Sequence, residues 1–172
     1  MGIPTAITVR LLSRQLLLLL LALAPSVWAQ GQAVPIAEGK ASLLQSIMLN
    51  TTWPDEQNID QFVLGLYGRD RDLLRILKRE LPDFKVRGKG VTVAVYDSVS
   101  KARKAHLLVV APSRTSELEE IDSRLRGSQT LIITDGASEK RHIMVNFIHP
   151  SETRLSFEIN RSNIVLEGIN PS

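Results

Sequence analysis

From residue 38 onward the apolar positions switch between a helical spacing and short continuous runs, and that switching predicts the order of elements. Glu38 to Asn50 puts Leu43, Leu44, Ile47 and Met48 on one helical stripe, with Lys40 and Gln45 away from it. Trp53-Pro54 ends this helix, because the residue before a proline is pushed out of the α region. Gln61 to Tyr67 is a short apolar run suited to a buried strand. Gly68-Arg69-Asp70 follows as turn and N-cap, and Leu73, Leu74, Ile76 and Leu77 then form the face of a second helix. The unit recurs: Val91 to Tyr96 as strand, Asp97-Ser98 as cap, a brief helix over Val99 to Lys104, and His106 to Ala111 as the next buried strand. Pro112 to Ser116 opens a helix that carries Leu118, Ile121 and Leu125 and closes at Gly127, and Leu131-Ile132-Ile133 is a strand that ends at Thr134-Asp135-Gly136.

Strands that alternate with helices need crossover connections, which cover both faces of a parallel sheet. The final third breaks the alternation. Ile143 to Ile148 and Arg154 to Ile159 are joined by His149-Pro150-Ser151-Glu152-Thr153, a link that suits an antiparallel hairpin, and a last helix starting near Asn160 carries Ile164, Val165 and Leu166. The expected fold is therefore α/β, a three-layer sandwich with a mostly parallel central sheet and a C-terminal antiparallel hairpin.

Residues 1–29 follow a different pattern and read as an export signal. Arg10 and Arg14 make a positive, acid-free start, Leu16 to Ala24 is an unbroken apolar run, and Pro25-Ser26-Val27-Trp28-Ala29 supplies a breaker and small residues around a cut after Ala29. As a retained anchor, the apolar run would span only about half of the ~30 Å hydrocarbon core at ~1.5 Å per residue. Residues 30–37 form a polar lead, and 38–172 one domain, long enough to bury a core without staples. Removing the leader takes two arginines and no acid, which lowers the formal +3 to +1. With acids interleaved among the remaining Lys and Arg, a nucleic-acid partner is disfavoured. The absence of cysteine excludes a disulfide scaffold, a thiol nucleophile and cysteine metal sites together.

The chemistry-bearing residues assemble into no familiar catalytic pattern. There is neither a Gly-x-Ser-x-Gly elbow nor a His-Glu-x-x-His helix. His106, His142 and His149 lie 36 and 7 residues apart, so no helix or tight turn joins them as metal ligands. Gly65-Leu66-Tyr67-Gly68 sits where doubly wound folds hold phosphates, but its glycine spacing differs from Gly-x-Gly-x-x-Gly, and Tyr67 and Arg69 crowd the approach. A phosphoacceptor receiver needs paired carboxylates at a strand end, and Leu66-Tyr67-Gly68 supplies none; Asp97 and Asp135 read as caps. Gly88-Lys89-Gly90 is an ordinary turn.

Three stretches nevertheless form a recognisable series. Lys40-Ala41-Ser42-Leu43-Leu44 leads through Thr51-Thr52-Trp53-Pro54 to Phe62-Val63-Leu64-Gly65-Leu66. Thr134-Asp135 precedes Met144-Val145-Asn146-Phe147, and Phe157-Glu158-Ile159-Asn160 enters Asn163-Ile164 and Glu167-Gly168. In order and spacing they resemble the YfiR/HmsC-like family. The resemblance, over about Lys40 to Ile169, implies a periplasmic regulator that represses a membrane diguanylate cyclase by contacting its periplasmic part; related domains form the sensory head of histidine kinases. Two departures bear on this. Ala105 precedes His106 where a cysteine is expected, so disulfide control is not carried over, and Arg141-His142 replaces a small, often glycine-rich approach to the Met-x-Asn-Phe strand. The chain stops at Asn170-Pro171-Ser172, sooner than the family's final segment, which leaves open both a regulator and the front of a longer receptor.

The expectation is thus a non-enzymatic, cofactor-free periplasmic domain of cyclic-di-GMP signalling. Its partner is the periplasmic part of a diguanylate cyclase or histidine kinase, with a homodimer and a small-molecule ligand as further options. A free ligand carrier, with a pocket near Tyr67, Arg69 and Asp135, is the alternative. Candidate contacts are Trp53, Tyr67, Arg69, Asp135, Asn146, Glu158 and Asn160. Trp53 reads equally as a plug for the end of the sheet or a surface contact. Phe147 and Phe157 read as core. Asn146, Glu158 and Asn160 are polar among apolar strand neighbours and need partners or an edge.

Overall fold

The computed structural model describes residues 35–151 and 154–171. The expected leader, residues 1–29, and residues 30–34 of the lead lie outside the described residues. Helix α1 covers Ile36–Leu49, starting two residues ahead of the predicted Glu38. A short strand β1 (Thr51–Thr52) follows, then β2 (Phe62–Tyr67), α2 (Arg71–Glu80), β3 (Lys85–Val86), β4 (Lys89–Tyr96), α3 (Val99–Ala102), β5 (Leu107–Val110) and α4 (Leu118–Leu125). The chain closes with β6 (Leu131–Asp135), β7 (Val145–Ser151), β8 (Arg154–Ile159), α5 (Arg161–Leu166) and β9 (Asn170–Pro171). Among the described residues no helix is long and apolar enough to cross a membrane.

Seven strands form one sheet in the order β3-β4-β2-β5-β6-β7-β8. The five from β4 to β7 are parallel, and in chain order they run 2-1-3-4-5, the doubly wound arrangement. The chain therefore reverses direction across the sheet between β2 and β5, the point where such folds open a crevice at the strands' C-terminal ends. Two antiparallel additions flank this core. β3 pairs with β4 as a hairpin that the apolar pattern did not reveal, and β8 pairs with β7, so the C-terminal hairpin is as expected. β7 continues through His149 and Pro150 to Ser151, with a register shift after Ile148, so those residues belong to the strand rather than to the predicted link.

Strand register divides the side chains between two faces. Leu64 and Leu66 share one face with Val93, Val95, Leu107, Val109, Ile133, Val145 and Phe147, where α1 and α2 pack. Gly65, Tyr67, Tyr96, Leu108 and Thr134 point to the other face, under α3 and α4. The three layers follow from the parallel crossovers, and the core between them is continuous from Ala41 to Ile169. Gly65 is needed for contact rather than for a turn. A Cβ there would sit 2.6 Å from Tyr96 Cε2 and 2.9 Å from Leu108 Cδ1, so its absence lets the Tyr96 ring lie across β2.

Two readings of the apolar pattern are corrected. Lys40, placed off the stripe of α1, is buried with Ala41, Leu44 and Met48. Its spacing of four from Leu44 and eight from Met48 sets it on the inward face, where the Asp135 and Asp70 carboxylates meet its amine group. Phe157, read as core, is 43% exposed: it lies opposite Phe147, but β8 is the last strand of the sheet, so nothing among the described residues covers its outer side.

Candidate functional site

The C-terminal edge of the parallel strands gathers three of the seven candidate residues. Tyr67 ends β2 with its ring buried, and its hydroxyl donates to Glu117 Oε2 at 2.6 Å. Arg114 completes the group: its Nη1 donates to Glu117 Oε1 at 2.7 Å, and its guanidinium carbon lies 5.3 Å from the Tyr67 ring centre. The adjacent Glu117 carboxylate, with burial behind it, pushes the Tyr67 phenol above its ordinary range. The Tyr67 hydroxyl and Arg114 hold the Glu117 carboxyl below its own. Gly68 permits this arrangement twice over. Its φ of +98° suits glycine, and a Cβ would stand 2.8 Å from Arg114 Cγ. Arg69 is exposed in the turn that follows, and Asp70 caps α2 by accepting the Leu73 N–H at 3.0 Å, as the sequence predicts.

Asp135 ends β6 and is 2% exposed. Its place after a strand and before Gly136 predicts a cap, but its two oxygens are taken by side chains from elsewhere in the chain. Lys40 Nζ donates to Oδ2 at 2.5 Å, and His149 Nε2 lies 2.5 Å from Oδ1. Lys40 also reaches Asp70 Oδ2 at 3.3 Å, so one buried ammonium joins α1 to the ends of β2 and β6. A charge this deep is tolerated only when paired and hydrogen-bonded, and the cluster meets that condition. None of Lys40, His149, Arg114 and Glu117 is among the contact candidates the sequence offers: His149 enters there only as a metal ligand, and Lys40 as a residue off the helical stripe. Of these, only Lys40 carried a local signal, as a cation at the spacing of an apolar stripe.

The remaining candidates lie elsewhere. Trp53 is buried at the opposite edge, 5.2 Å from the Phe62 ring centre, and its indole N–H donates to the His106 carbonyl at 3.1 Å. It closes the N-terminal ends of β2 and β5, beside the pairing of β1 with β9. Asn146, buried in β7, accepts from the Thr134 hydroxyl at 2.8 Å and the Ala137 N–H at 3.0 Å, and donates to the Ala137 carbonyl at 3.0 Å, so its polar groups fasten the β6–β7 connection. Asn160 caps α5 by accepting the Asn163 N–H at 3.2 Å. Glu158, on β8, pairs with Lys140 at 2.7 Å. The histidines are dispersed: His106 Nδ1 accepts the Val63 N–H at 2.9 Å, His142 faces Asp122 at 3.1 Å, and His149 faces Asp135.

β8 also defines a surface. It is the outer strand of the sheet, and Phe157 and Ile159 (50% exposed) project from it towards solvent. The next element, α5, exposes Val165 and Leu166 while burying Ile164. An outer strand offers unpaired backbone groups, and apolar side chains beside them mark a surface suited to another chain.

No curated protein matches the chain. The profile described as YfiR/HmsC-like matches residues 37–172, from the first turn of α1 through β9, and the chain belongs to that family.

Proposed function

We propose that the protein is a periplasmic regulator, exported by cleavage after Ala29, that binds the periplasmic part of a membrane diguanylate cyclase and lowers its output. Membership of the YfiR/HmsC-like family over residues 37–172 carries this reading. The outer strand β8 supports it with a surface of the right kind: Phe157 and Ile159 offer apolar area next to free backbone groups, and the Lys140–Glu158 pair supplies a polar border. Regulation then follows from differential affinity. A domain that binds one conformation of the cyclase more tightly shifts its population by that difference, about 1.4 kcal/mol for each factor of ten.

The test is capture from solubilised membranes with the exported chain as bait, alongside the double variant F157S/I159S. Recovery of a diguanylate cyclase, lost with the double variant, supports the proposal. Recovery of a histidine kinase instead would move the protein to the receptor branch of the family, and equal recovery by the variant would remove β8 from the interface.

A further inference from the structure

Three arginines from two connections line one cleft over the C-terminal ends of β2 and β4. Arg69 lies in the turn after β2, Arg71 opens α2, and Arg114 follows β5; with Gly68, Ser113 and Asp70 they ring a cleft of about 590 Å³. Its other wall is apolar: Leu66, Leu74, Val95 and Tyr96. Val95 is 56% exposed although it lies on a sheet face otherwise covered by α2, so the cleft leaves an unfilled apolar surface at that end of β4.

The charge balance of this cleft favours an anion. The neighbouring carboxylates are committed: Asp70 to Lys40 and the Leu73 N–H, Asp72 to Arg75, and Glu117 to Tyr67 and Arg114. Arg69 and Arg71 have no carboxylate partner among the described residues. Arg114 is held in place by Glu117 and by stacking on Tyr67, over the glycine whose Cβ would displace it. The cleft opens over β2 and β4, beside the switch point between β2 and β5, and its volume falls in the range of roughly 300–1,000 Å³ that holds small organic ligands.

We propose that this cleft binds a small organic anion with a flat apolar body, its phosphate or carboxylate held by Arg69 and Arg71 and its body lying over the exposed Val95 at the end of β4, with Arg114 at its side. Guanidinium groups recognise both kinds of headgroup through paired N–H donors, and the planar Arg114 side chain accepts a flat ring. Because Asp70 already occupies the first-turn amide of α2, affinity rests on the side chains and not on the helix end. The site requires no membrane partner, so it stands or falls separately from the regulatory reading.

Calorimetric titration of the purified protein with 1-naphthyl phosphate and 1-naphthoate tests it, with 1-naphthol and inorganic phosphate as the two halves of the ligand. At least one naphthyl anion should saturate a single site with a Kd on the order of 0.1 mM, and each half alone should bind at least about tenfold more weakly. The ranking of the two anions identifies the headgroup. R69A/R71A and, separately, V95E should each weaken binding at least about tenfold. R126A, which removes a guanidinium beyond the far end of α4, should leave it unchanged. Two results overturn the proposal: no saturable binding of either anion at millimolar concentration, or binding that R69A/R71A and V95E leave intact.

Discussion

Replacing Lys40 by Met removes the ammonium that joins Asp135 and Asp70 while keeping most of the aliphatic stem that packs in the core. The two carboxylates respond differently. Asp70 has 23% of its side chain exposed and keeps its bond to the Leu73 N–H, so it is unpaired at little cost. Asp135, with 3% of its side chain exposed, is left in the interior with His149 alone. Breaking a buried pair from one side typically costs about 3–5 kcal/mol, a large part of the roughly 5–15 kcal/mol that holds a domain folded. K40M/D135N, which removes both charges, should be little worse than K40M, giving a coupling of at least about 2 kcal/mol in the double-mutant cycle. Urea unfolding followed by circular dichroism reads this directly. With a slope of about 1–3 kcal/mol per molar urea, K40M should lower the midpoint by about 2 M. A loss below about 1 kcal/mol for K40M, or a double variant whose cost equals the sum of the singles, would refute the claim that Lys40 is held in place by the Asp135 charge.

Two further outcomes are expected. Burial holds the His106 imidazole below its ordinary pKa, and its Nδ1 must stay unprotonated to accept the Val63 N–H. The unfolded chain therefore takes up a proton first as pH falls through about 6.5, and stability declines from there until the folded value is passed. H106N, whose side-chain oxygen can replace Nδ1, should flatten that decline in urea midpoints compared between about pH 7.5 and pH 5; an unchanged slope would assign it to other groups. G65A places a methyl group 2.6 Å from Tyr96 Cε2, and should cost about 1–3 kcal/mol by thermal unfolding, partly recovered in G65A/Y96A. Full stability in G65A would mean that β2 and β4 shift apart freely.

Most of the architecture was legible because it is written in local spacing. Asp70, three residues ahead of the Leu73 amide it caps, and the stripe Leu118, Ile121 and Leu125 are signals contained in one turn or two. The hairpin of β3 and β4 escaped because Lys85-Val86 is too short to show any period, and β3 exists by pairing with Lys89 and Gly90. Phe157 alternates with polar neighbours as a core residue does, yet period alone cannot tell a central strand from an outer one. That difference is set by strand order, which puts β8 last.

The site was less legible for a related reason. Asn146, the second residue of β7, and Asp135, the last of β6, are both polar residues in strands, and residue type alone does not say which of them reaches across the fold. The fold does so: Asn146 satisfies itself on Thr134 and Ala137, within twelve residues of its own position, whereas Asp135 draws Lys40 from 95 residues away. A polar group that closes its bonds locally secures a connection. One that requires a charge from a distant element joins parts of the chain that could otherwise move apart, here the first helix and the strand ends beside the crevice. Arg69 and Arg71 are the opposite case, cations whose nearby acids are already engaged with other groups. Their availability for a ligand is a property of how Asp70, Asp72 and Glu117 are occupied, and so it emerges only once the tertiary pairings are known.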